Sequence, residues 1–153
     1  MKLVIIEGSS INPIVVFLKK WHQKWLVVHS PSHETPQFSH FAEKTLQEYQ
    51  SLKNEGRYDI VIWNRSYMRE LSHHIGQPTY DSFIGLEEKY LKYDLDVYFI
   101  WVVDDNSESL LIENLRHSKL PNKKVIFRNS GERPLTDKEI AEQIDKFLHH
   151  DGN

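Results

Sequence analysis

The sequence predicts an α/β domain, a three-layer sandwich built on a five-stranded, mainly parallel sheet. Three observations carry this expectation. Five short runs rich in β-branched and aromatic residues recur along the 153 residues. None of them alternates cleanly between apolar and polar, which is the pattern of strands covered on both faces. Longer segments of helical period separate the runs, and strands alternating with helices build parallel sheets through right-handed crossovers.

The first run, Leu3–Ile6, leads through Glu7-Gly8 to a helical stretch opening near Pro13. The second run is Trp25–Val28. Trp21 and Trp25 flank a short polar turn before it, and one of the two is expected in the core. Next, Phe38, Phe41, Ala42, Thr45, Tyr49 and Leu52 fall on one helical stripe, with Ser39 as its cap. The third run is Asp59–Trp63. A stripe of Tyr80, Phe83, Ile84 and Leu91, interrupted by Glu87, follows it. The fourth run, Val97–Val103, precedes a stripe of Leu111, Ile112 and Leu115, with Asn106 or Ser107 as its cap. The fifth, Lys124–Phe127, precedes the cleanest stripe: Ile140, Ala141, Ile144, Phe147 and Leu148. Thr136-Asp137-Lys138-Glu139 opens that helix as a capping box, in which hydroxyl and carboxylate each satisfy an orphan amide.

Composition narrows the function. The chain contains no cysteine, which excludes disulfides, cysteine-ligated metal centres and thiol chemistry. Nineteen Lys and Arg against 22 Asp and Glu give a net charge of −3, so nucleic acid is not an expected partner. The first eight residues hold one lysine and a short apolar run closed by Glu7, too little for a signal core or a membrane span. The expectation is one domain over residues 1–153, cytoplasmic and without a membrane partner.

Ligands of parallel sheets sit outside the carboxyl ends of the strands. Gly8–Pro13, His29–Pro36, Asn64–Met68 and Asp104–Ser107 would therefore line any site. In this setting Lys2-Leu3-Val4-Ile5-Ile6-Glu7-Gly8 and Tyr58-Asp59-Ile60-Val61-Ile62-Trp63-Asn64-Arg65-Ser66-Tyr67 resemble the first and third strands of P-loop nucleoside and nucleotide kinases. The likeness is to the short thymidylate-kinase-like proteins of phages and bacteria. It extends in order through Leu95–Arg116 to the final strand and helix.

The resemblance implies a P-loop kinase fold with Gly8 as first glycine of the phosphate loop and Arg65 on an acceptor phosphate. Asn64, Tyr67, Ser9 and Ser10 complete the implied ligand site. The departures from the family pattern are specific. Pro13 stands at the second glycine, Ile14 at the lysine and Val15 at the hydroxyl residue. Proline offers no amide to a phosphate, and Ile and Val offer neither charge nor a magnesium ligand. Asn64 replaces an aspartate that a magnesium site would want. Only His117 to Lys123 stand where an arginine-bearing lid would lie, so the lid is missing.

The expectation is thus a pseudokinase with no catalytic residue, cofactor or metal. It would bind a protein partner or a nucleoside monophosphate, and the phage likeness implies a modulator of a host enzyme. The alternative is a deoxynucleoside or deoxynucleoside-monophosphate kinase with an unusual phosphate site. The family likeness also leaves a homodimer open, through Tyr80 to Leu91. For Arg65 itself, a salt bridge to Asp59 or Asp104 stands beside the anion contact.

Other constellations are weaker. His29, His33 and His40, with Glu34, fall in one polar loop without the regular spacing of a chelate. His73 and His74 point apart on a helix. His149 and His150 end the last helix, where a cation suits the dipole. Ser9 and Ser10 lack the second glycine of a nucleophile elbow. Lys19-Lys20-Trp21-His22-Gln23-Lys24-Trp25 is a basic cluster interleaved with aromatics, read as a solvated face.

Overall fold

The computed structural model describes residues 1–8, 10–28, 38–63, 88, 92, 96–103, 119–129 and 131–149. In chain order they form β1 (Lys2–Gly8), α1 (Asn12–Trp21), β2 (Leu26–Val28), α2 (Phe38–Glu55), β3 (Ile60–Trp63), β4 (Asp96–Val103), β5 (Asn122–Phe127) and α3 (Asp137–His149). The five strands make one sheet in the order β2-β3-β1-β4-β5, and every neighbouring pair is parallel. Every strand run read from the sequence lies on an observed strand, with each end placed to within two residues.

Successive side chains of a strand point to opposite faces, and the apolar runs fill both. Leu3 and Ile5 of β1, Val61 and Trp63 of β3, and Val97, Phe99, Trp101 and Val103 of β4 share one core with Tyr49 of α2. Val4 and Ile6, Ile60 and Ile62, and Tyr98, Ile100 and Val102 face a second core. Ile14, Val15 and Leu18 of α1 and Ile140, Ala141, Ile144 and Leu148 of α3 close it. The helices therefore lie on both sides of the sheet. Each fully buried Ile, Leu or Val stabilises the fold by about 1.5–3 kcal/mol relative to exposure. The central strands carry most of this burial, whereas β2 and all but one residue of β5 stay partly exposed at the edges.

Aromatic contacts register the layers. Tyr49 of α2 meets Trp63 edge-on at 5.4 Å, and Phe147 of α3 meets Tyr98 edge-on at 5.8 Å. Of the two tryptophans flanking the polar turn, Trp25 enters the core at 6% exposure and Trp21 stays at the surface. The capping box forms as expected. Glu139 Oε1 accepts the Thr136 amide at 3.2 Å, and the Glu139 amide donates to Thr136 Oγ1 at 3.1 Å.

Two expectations are corrected. Ser39 does not stand ahead of its helix, because α2 already includes Phe38. His40 lies in the first turns of the same helix rather than in a loop with His29 and His33. In both cases the helix already starts at Phe38, the first residue of the apolar stripe. The stripes at Tyr80–Leu91 and Leu111–Leu115, with their caps Asn106 and Ser107, lie outside the described residues, as do His29, His33, Glu34, His73, His74 and His150. Among the described residues no helix is long and apolar enough to cross a membrane.

Candidate functional site at the carboxyl edge

The strand order locates the site. From β1 the chain passes to β2 on one side of the sheet, and from β3 it passes to β4 on the other. That reversal makes β1 and β3 a topological switch point, and the crevice of such a sheet lies outside the carboxyl ends of those strands. Ile5 pairs with Trp63, the last residue of β3, while β1 continues through Ile6, Glu7 and Gly8 along β4.

At the end of β1 the backbone turns sharply. Gly8 has φ +137° and Ser10 has φ +56°. A Cβ on Gly8 would stand 2.1 Å from the Val102 carbonyl oxygen, so glycine is required by the close approach of β4 as well as by φ. Helix α1 then starts at Asn12. Its cap residue, Ile11, makes no side-chain capping bond and is itself buried. Pro13 removes one first-turn amide, and no acidic residue occupies that turn.

The side chains that follow face inward. Ile14 is fully buried and Val15 is 5% exposed, both packed in the core between α1 and the sheet. The positions that resemble the kinase lysine and hydroxyl residue are therefore core positions here. Glu7 is the one charged residue buried among the described residues, at 4% exposure. Its Oε1 accepts the Gly8 amide at 3.3 Å, a long hydrogen bond. Among the described residues, the turn thus carries a buried carboxylate beside the Gly8 amide and no cationic side chain.

Arg128, directly after β5, supplies a cation at the same edge. Its Nη1 donates to Asp137 Oδ1 at 2.8 Å, and its amide donates to the Val103 carbonyl. The guanidinium is thereby matched to the first residue of α3. Neither Glu7 nor Arg128 was expected as a site residue from the sequence. The available signal was a charged residue at the carboxyl end of an apolar strand.

Of the expected site residues, Gly8 and Ser10 lie at the carboxyl end of β1. Ser9, Asn64, Arg65 and Tyr67 lie outside the described residues. Among the described residues, the group of histidine and carboxylate donors that converges is at the opposite edge of the sheet: His22, Asp145 and His149. Comparison with protein-family models, with curated proteins and with solved structures found no match.

Proposed function

We propose that this chain is a catalytically silent relative of the P-loop nucleoside and nucleotide kinases and acts by binding rather than by phosphoryl transfer. One observation carries the reading: the turn after β1 has no means of holding a triphosphate. Ile14 and Val15 pack into the core, Pro13 lacks an amide, and the buried Glu7 carboxylate borders the turn. Phosphoryl transfer depends on positioning and charge neutralisation, and this turn offers neither. The switch-point geometry supports a binding crevice at the same edge, and in the sequence Asn64 and Arg65 follow β3 directly. The ligand is a protein partner or a nucleoside monophosphate, the latter held by Arg65. Modulation of a host enzyme by a phage protein fits such a scaffold.

Isothermal titration with ATP·Mg²⁺, followed by a transfer assay on deoxynucleosides and their monophosphates, tests this. The expected result is no saturable ATP·Mg²⁺ binding and no transfer. Saturable binding with transfer overturns the reading in favour of an active kinase. A thermal-shift panel of nucleoside monophosphates on the parent and on Arg65→Ala then separates the ligands. A ligand at 100-fold its Kd stabilises by about 2.7 kcal/mol. A shift in the parent that Arg65→Ala abolishes assigns the monophosphate to Arg65, and no shift at all assigns the edge to protein recognition.

A further inference from the structure

The geometry points to a divalent transition-metal site, of the type that takes Zn²⁺, between His22, Asp145 and His149 at the amino edge of the sheet. It is independent of the kinase-like reading, because it lies at the other end of the strands and uses none of the same residues.

The site is built from two helices that run back from the carboxyl edge. His22 directly follows α1, just before the turn into β2. Asp145 and His149 stand one turn apart near the end of α3, a spacing that puts both side chains on one face. Their donor atoms converge. His22 Nε2 lies 2.9 Å from Asp145 Oδ1, and His149 Nδ1 lies 2.9 Å from the same oxygen. All three donor atoms fall within 4.8 Å of one another. A tetrahedral ion with bonds of 2.0–2.2 Å keeps its ligand atoms about 3.4 Å apart. To admit it, the two 2.9 Å separations would open by about 0.5 Å, and the imidazole nitrogens, at most 4.8 Å apart, would close by up to about 1.4 Å.

The supporting contacts hold the donors in place. The His22 ring stacks on the Trp25 indole at 3.8 Å, with the planes within 7°. Trp25 is itself buried in the core, so the imidazole is fixed on a rigid platform. His149 lies 5.4 Å from His22 in a stacked arrangement. Its Nδ1 also lies 2.8 Å from the Asp145 carbonyl oxygen, a contact that coordination would exchange for the metal. Each bound imidazole would then carry its proton on the other ring nitrogen.

Two imidazoles and one carboxylate select a borderline ion over Mg²⁺ or Ca²⁺, which prefer all-oxygen shells. Side-chain exposures of 27%, 27% and 54% give the ion an entry path and leave a fourth position for water. Bound there, the ion would tie the end of α1 to the end of α3.

The test uses the full chain without a histidine tag. Zn²⁺ is titrated calorimetrically, Co²⁺ serves as a spectroscopic probe, and Mg²⁺ is the control. The expected result is one Zn²⁺ per chain, a visible Co²⁺ spectrum of tetrahedral intensity, and no response to Mg²⁺. Saturating Zn²⁺ at 100-fold its Kd should raise Tm by about 5–10 °C. Asp145→Asn and His149→Gln, each confirmed as folded by circular dichroism, should each weaken Zn²⁺ by about 100-fold and abolish the Co²⁺ bands. Loss of a mere supporting residue around a metal costs about 10–100-fold, so a directly bound ligand belongs at or beyond the top of that range. Zn²⁺ affinity unchanged in both folded variants, or an octahedral Co²⁺ spectrum in the parent, overturns the proposal.

Discussion

Gly8→Ala tests whether the first glycine of the chain serves a phosphate or the sheet. Real Cβ atoms essentially never approach closer than 3.0 Å, and a Cβ on Gly8 would stand 2.1 Å from the Val102 oxygen. Gly8 and Val102 would have to separate by about 0.9 Å, at the carboxyl end of the β1–β4 pairing. The Val102 Cβ, at 3.2 Å, offers little further room. Alanine at φ +137° adds backbone strain of about 1–3 kcal/mol. Overpacking at a tight site costs about 1–3 kcal/mol more. The expected loss is therefore about 2–6 kcal/mol, a large share of the 5–15 kcal/mol typical of a domain. Urea unfolding followed by tryptophan fluorescence reads it directly, because Trp25, Trp63 and Trp101 are buried. A variant within about 0.5 kcal/mol of the parent, the range of an inconsequential surface change, would refute the packing argument. It would return Gly8 to a ligand role.

Two further outcomes are expected. Arg133 forms a two-point bond with Glu139 at 2.6 and 2.9 Å, and this, followed by the Thr136 amide, holds the Glu139 carboxyl down to about 2 from its ordinary 4.5. A carboxylate with a depressed folded value stabilises above its unfolded value and loses that contribution as pH falls through the folded one. Acid unfolding of the parent should accordingly include a component between pH 4.5 and about 2 that Arg133→Ala diminishes, a difference that salt should shrink. Ile14→Lys, which replaces a fully buried residue of α1, should destabilise by about 4 kcal/mol or more, since a buried lysine loses 3–5 pKa units of its charge preference. A folded Ile14→Lys protein that binds ATP·Mg²⁺ would contradict the inward placement of that side chain.

The sheet was legible because burial on both faces leaves a strong trace. Val97–Val103 reads as an uninterrupted apolar run, and in the structure its residues divide alternately between the two cores. The last helix was equally legible, since Thr136 and Glu139 announce its start and Ile140, Ile144 and Leu148 its buried face. The opening of α2 was not, because Ser39 is a good cap by composition while the helix already includes the residue before it. The two charged residues at the carboxyl edge escaped for a different reason. Glu7 and Arg128 derive their meaning from β1 and β5 flanking β4, a neighbour relation that strand order alone supplies. The cluster of His22 with Asp145 and His149 was hidden in the same way, because His22 stands 123 positions from Asp145 and meets it only through the packing of α1 against α3.

The turn after β1 is stabilised by its apolar residues. Ile11, Ile14 and Val15 bury apolar surface that a lysine and a hydroxyl would leave unfilled or unpaired. Polar substitution there would therefore oppose folding.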